Sequence, residues 1–118
     1  MVMRIAKQFD FDAAHWLPMV PDGHKCKRMH GHTYRVEVVI RDRVLPDGFI
    51  MDYAVIANAW EPLHAILDHQ CLNEIGGLEN PTTESLVVFI VDRIKPALRN
   101  LWAVRVYESS TTWCEWTS

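Results

Sequence analysis

From Arg4 to His15 the chain alternates. Ile5, Lys7, Phe9, Phe11, Ala13 and His15 share one face, and Ala6, Gln8, Asp10, Asp12 and Ala14 share a more polar one. A period of two predicts a strand with one buried face. Thr33 to Asp42 repeats the pattern, with Tyr34, Val36, Val38 and Ile40 opposite Arg35, Glu37 and Arg41. Asp47-Gly48 signals a tight turn, and Phe49–Met51 is expected to add a short strand after it. The period then changes. Ile56, Trp60, Leu63 and Leu67, spaced four, three and four, form one helical stripe over about 53–67, which Asp52 can cap. Pro62 should kink or break that helix. Gly76-Gly77 and Asn80-Pro81 read as a loop. A second helix starts near Thr82-Thr83-Glu84, with Glu84 at the positive N-terminus and Leu86, Val87, Ile90 and Ile94 as its stripe; Pro96 ends or bends it. Two short strands finish the chain. In the first, Trp102, Val104, Val106 and Glu108 alternate with Ala103, Arg105 and Tyr107; Trp113–Trp116 forms the second. Strand, strand, helix, helix, strand, strand predicts an α+β fold with an antiparallel sheet.

Parity carries the chemistry. His15 closes the first strand on its apolar face. Extending the second strand backwards puts His30 and His32 with Tyr34 and Val36. Side chains two apart on a strand point the same way, and antiparallel pairing brings the end of the first strand to the start of the second. Gly31 lets the backbones come close. Three imidazoles with an open fourth position suit a catalytic zinc, although iron, nickel and copper also accept imidazole. A single histidine on an apolar face is better read as a hydrogen-bonded core residue; three at one end of a hairpin favour a metal. His24, in the loop, and His64, without a partner at ligand spacing, read as solvent-facing.

Residues 16–29 are long for a hairpin connection and hold Cys26 between Lys25, Lys27 and Arg28, cations that favour a thiolate. Cys71 and Cys114 lack such neighbours and read as structural. Asp68-His69 ends the first helix. Adjacent helical residues do not face each other, so the pair is not expected to form a hydrogen-bonded dyad. Glu108 shares the apolar parity of Val104 and Val106, and a buried carboxylate needs a partner. A heterocycle with adjacent N–H donors fits; a salt bridge to Arg4 or Arg35 is the structural alternative.

Composition narrows the class. A chain of 118 residues suits one domain over 1–118, and 49% hydrophobic residues can build a core. A net charge of −3 gives no basic balance for nucleic acid. No apolar run approaches the roughly 18–20 residues of a membrane span, and the first residues run into the strand pattern without the apolar segment of a signal peptide. Three cysteines at wide spacing form no disulfide framework, so a reducing compartment, the cytoplasm, is expected. Open sheet edges favour oligomerisation.

Phe11-Asp-Ala-Ala-His15, Cys26-x-x-x-His30-Gly-His32, Leu67-Asp-His69, Pro81-Thr-Thr-Glu84 and Glu108-Ser-Ser, in this order from about Ile5 to Cys114, resemble the 6-pyruvoyl-tetrahydropterin synthase family. The three-residue gap between the cysteine and His-Gly-His resembles its 6-carboxytetrahydropterin synthase branch, which serves queuosine biosynthesis. The resemblance implies the tunnelling fold, a four-stranded antiparallel sheet with two helices on one face, joined edge to edge into barrels as a hexamer of two stacked trimers. It implies zinc on His15, His30 and His32, Cys26 as proton acceptor, and Asp68 with His69 as a relay supplied by a neighbouring subunit. Glu108 would anchor the pterin, and Thr82, Thr83 and Glu84 would line its pocket. The implied reaction converts 7,8-dihydroneopterin triphosphate to 6-carboxy-5,6,7,8-tetrahydropterin, acetaldehyde and triphosphate. The alternatives are the 6-pyruvoyl product, without carbon–carbon cleavage, and a non-catalytic pterin- or metal-binding protein.

Overall fold

Both long alternating runs form strands, and they extend further than the alternation alone implies. In the computed structural model, which describes residues 1–118, β1 covers Val2–His15 and β2 covers His30–Arg43. They pair antiparallel along their whole length, from Val2 opposite Arg43 to His15 opposite His30. α1 (Tyr53–Leu67) begins where Asp52 accepts the Ala54 N–H at 2.8 Å. A two-residue strand β3 (Gln70–Cys71), helix α2 (Thr83–Ile94) and strands β4 (Leu101–Tyr107) and β5 (Trp113–Thr117) follow. The sheet order is β3-β1-β2-β4-β5.

The apolar face of the sheet is the core. Phe11, Tyr34, Val36, Val38 and Ile40 are buried against Ile56, Trp60, Leu63 and Leu67 of α1 and Leu86, Ile90 and Ile94 of α2. Phe9 stacks on Trp60 at 5.2 Å and Phe11 on Tyr34 at 4.9 Å. Both helices therefore lie on one face of the sheet.

Four local expectations need correction. The sheet has a fifth strand, since β3 pairs parallel with Ala13 and Ala14 of β1; two residues are too few to show a period. Phe49–Met51 form no strand. Their turn closes on itself instead, with Leu45 N–H donating to the Phe49 carbonyl and Gly48 at φ +92°. α1 runs through Pro62. The proline removes one hydrogen bond, to the Asn58 carbonyl four residues back, but Asn58 is exposed and the buried stripe on either side stays continuous. Trp102 leaves the parity of Val104 and Val106. The β2–β4 register shifts between Val39 and Ile40, and Trp102 lies under the Arg4 guanidinium, 4.5 Å from the ring centre.

Candidate metal centre

The β1–β2 register sets His15 opposite His30 and Ala13 opposite His32. The three ring centroids lie 4.6 to 5.0 Å apart, and one ring nitrogen from each falls within 4.8 Å of the others. A Cβ on Gly31, between His30 and His32, would come into contact with the Ala13 carbonyl at 3.4 Å. His15 is fully buried, and its Nδ1 lies 2.9 Å from the Pro81 carbonyl. The Tyr34 hydroxyl is 3.3 Å from the same nitrogen. His30 Nδ1 lies 2.7 Å from the Arg28 carbonyl. A carbonyl only accepts, so both Nδ1 atoms carry the proton and both Nε2 atoms present lone pairs. Those two lone pairs face each other at 3.0 Å, an arrangement that suits a shared cation. His32 Nε2 is buried and has no aligned hydrogen bond. Glu108 Oε1 is 3.2 Å from it, close enough for an ion pair but off the hydrogen-bond direction. Backbone carbonyls that orient imidazoles are the usual outer shell of a metal site.

Burial favours the neutral form of two of the three histidines. Burial lowers the His15 pKa below 6.5, against an opposing pull from the Pro81 hydrogen bond. Burial also lowers His32, against the Glu108 charge. Burial, then Glu108, pushes the Tyr34 phenol well above its ordinary range, so its hydroxyl stays protonated. Neutral imidazoles are the form that binds metal, and these three residues could hold one ion.

Glu108 follows β4, and its N–H closes a turn on the Thr112 carbonyl. It is half-buried. Thr83 Oγ1 donates to its Oε2 at 2.7 Å. Neither candidate arginine reaches it: Arg4 covers Trp102, and Arg35 sits 3.6 Å from Asp10. Thr82 caps α2 by accepting the Ser85 N–H at 3.1 Å, while Glu84 is exposed in the first turn.

Asp68 and His69 overturn the expectation that adjacency prevents a dyad. Asp68 is the C-cap of α1, with extended backbone, and His69 has φ +58°. The chain has left the helix, and His69 Nδ1 reaches Asp68 Oδ2 at 2.8 Å. The other carboxylate oxygen accepts the Asp12 N–H, and the His69 N–H donates to the Asp12 carbonyl. The Asp12 hydrogen bond, then that of His69, holds the Asp68 carboxyl low; Asp68 in turn raises His69 above 6.5. His69 is largely exposed and lines a cleft of about 590 Å3 that includes Asp12, Ala14, Gly31 and Thr33 and also reaches His32.

A family model described as 6-pyruvoyl tetrahydropterin synthase matches residues 4–118. The chain belongs to this family. Relatives named 6-carboxy-5,6,7,8-tetrahydropterin synthase include one from Synechocystis, 39% identical over 92% of this chain and 88% of that protein. Another, from Bacillus subtilis, is 31% identical over 92% and 80%. A Pyrococcus furiosus relative, 34% identical over 83% and 80%, is named dihydroneopterin monophosphate aldolase. The solved 6-pyruvoyl tetrahydropterin synthase of Caenorhabditis elegans superposes with a TM-score of 0.91 over 100% of this chain and 96% of that one, at 21% identity.

In this family member Cys26 sits half-buried in a 3-10 turn, Lys25–Lys27, inside the long β1–β2 connection. His24 caps that turn by accepting the Cys26 N–H at 3.0 Å, a use that the sequence reading missed. Lys27, expected to act on the thiol, instead pairs with Asp22 at 2.7 Å and donates to the Val20 carbonyl. His64 lies 3.8 Å from Asp68 and joins no metal group. Sequence reasoning also missed the carbonyls of Pro81 and Arg28. A backbone acceptor leaves no mark on residue type, and only the Asn80-Pro81 turn signal hints at the first.

Proposed function

We propose that residues 1–118 form one zinc-dependent lyase domain. It converts 7,8-dihydroneopterin triphosphate and water to 6-carboxy-5,6,7,8-tetrahydropterin, acetaldehyde and triphosphate. The names of the Synechocystis and Bacillus subtilis relatives support this product. Glu108 is the observation that carries the reading. One of its oxygens is tethered by Thr83, and the other stands 3.2 Å from a ligand histidine. Adjacent N–H donors of a pterin ring gripped by this carboxylate bring the substrate side chain to the three histidines. Thr82 and Glu84, on either side of Thr83 at the start of α2, are assigned to the same pocket.

His15, His30 and His32 would hold zinc. When bound, the zinc supplies Lewis acidity to the side-chain hydroxyls. Cys26 takes a proton as thiolate. Asp68 orients His69, which returns a proton as general acid. We assign the dyad to the site of a neighbouring copy in a hexamer of two trimers, as the family resemblance implies. The free cysteines fit a cytoplasmic setting. The product class fits 7-deazaguanine and queuosine synthesis.

The test is turnover of 7,8-dihydroneopterin triphosphate by zinc-loaded protein, with acetaldehyde and the carboxy product expected together. A pyruvoyl product without acetaldehyde would assign the other branch. The Pyrococcus furiosus relative favours a second reading, aldol cleavage of a monophosphate. Parallel assays with dihydroneopterin monophosphate separate the two. Metal uptake without turnover of any of these substrates would leave a non-catalytic binding protein.

A further inference from the structure

We infer that Asn73 is a positioning residue for the loop that carries Cys26. This rests on the proposed role of Cys26. Asn73 lies in the 3-10 turn Leu72–Glu74, directly after β3. Its side-chain amide grips both backbone groups of Trp16: Oδ1 accepts the Trp16 N–H at 3.0 Å, and Nδ2 donates to the Trp16 carbonyl at 2.7 Å. Trp16 is the first residue beyond β1. The partnership fixes the amide's orientation, since a carbonyl requires a donor and an N–H an acceptor.

β3 pairs with β1 only at Ala13 and Ala14. The backbone then turns into the 3-10 segment and supplies no further rung. The Asn73 side chain replaces the missing backbone pair, so the chain stays anchored one residue past the ligand His15. The next N–H, of Leu17, donates to the Cys26 carbonyl at 2.8 Å. An unbroken path thus runs from Asn73 through Trp16 and Leu17 to Cys26. Two further bonds tighten the far side of the loop, His24 to the Cys26 N–H and Lys27 to the Val20 carbonyl. The ligand His15 has its own anchors in Pro81 and β2, so loss of the Asn73 clamp releases the cysteine loop before it releases the metal.

Two variants and one measurement on the unaltered chain test this. Asn73→Asp keeps the acceptor but sets a carboxylate against the Trp16 carbonyl; Asn73→Ala removes both bonds. Each should keep metal stoichiometry and KM while kcat falls roughly tenfold or more, the effect of a misplaced reacting group. Alkylation of Cys26, followed by mass spectrometry of its own peptide, should change rate to a similar extent. Folded variants with kcat and alkylation rate within twofold of the parent would overturn the inference. So would loss of metal in step with turnover, because the clamp would then act on His15. If neither variant folds, hydrogen exchange on the parent decides: the Trp16 and Leu17 amides should be protected like those of β3, and loop-like exchange would sink the idea. Should Cys26→Ala retain full turnover, the proposed role of Cys26 fails, while alkylation and exchange still judge the clamp.

Discussion

The facing lone pairs of His15 and His30 make the metal question a matter of single atoms. Metal uptake should weaken on acidification, because each ligand must shed its proton; competition with a coloured chelator between pH 5.5 and 7.5 measures this. Burial lowers both His15 and His32. In metal-free protein the unfolded chain therefore binds these protons more readily than the folded one. Their contribution to stability is present above the unfolded value near 6.5 and is lost as pH falls below it, which melting temperatures across that window will follow. His69 runs the other way, since Asp68 raises it. Its pairing stabilises below 6.5 and fades as pH rises through the elevated folded value, and it is screened by salt because the histidine is exposed. An NMR titration should place the His69 midpoint above 6.5, and Asp68→Asn should return it towards the ordinary value. For the proposed chemistry, Cys26→Ala should keep its metal and lose about 10²–10⁴-fold in kcat. Glu108→Ala should chiefly raise the Kd for a pterin analogue; unchanged affinity would remove Glu108 from the binding site.

At the scale of elements, the periods in the sequence were informative wherever burial was one-sided. The parity of β1 and β2 located His15, His30 and His32 on one face, and the four-three-four stripe bounded α1 at the observed residues. What stayed hidden was set by partners distant in sequence. β3 exists because β1 offers an edge at Ala13 and Ala14. Trp102 turned outward because the β2–β4 register slips at Trp102 itself, where one step on β2 spans two on β4, and Asp68-His69 became a dyad only because the helix ends at Leu67, before both. Sequence could show that Glu108 needed a partner but not that Thr83 supplies one. Packing of α2 on the sheet should dominate stability. Ile90→Ala, fully buried in the core, should cost roughly 2–5 kcal/mol, measured by urea unfolding. Pro62→Ala should be neutral or stabilising, because the helix already passes through that position and alanine restores the missing donor.

For the molecule as a whole, the three proposed ligands all stand on the two strands of one hairpin, whereas every group proposed to handle the substrate lies off those strands. Cys26 hangs on the connecting loop, Glu108 follows β4, and Asp68-His69 lies beyond α1. Loading the ion and assembling the reactive site are therefore separable events. A preparation can hold a full complement of metal with its cysteine loop displaced. Metal content would then count idle molecules as working ones, and only titration of the active fraction, by a tight-binding substrate analogue or a single-turnover burst, would tell the two populations apart.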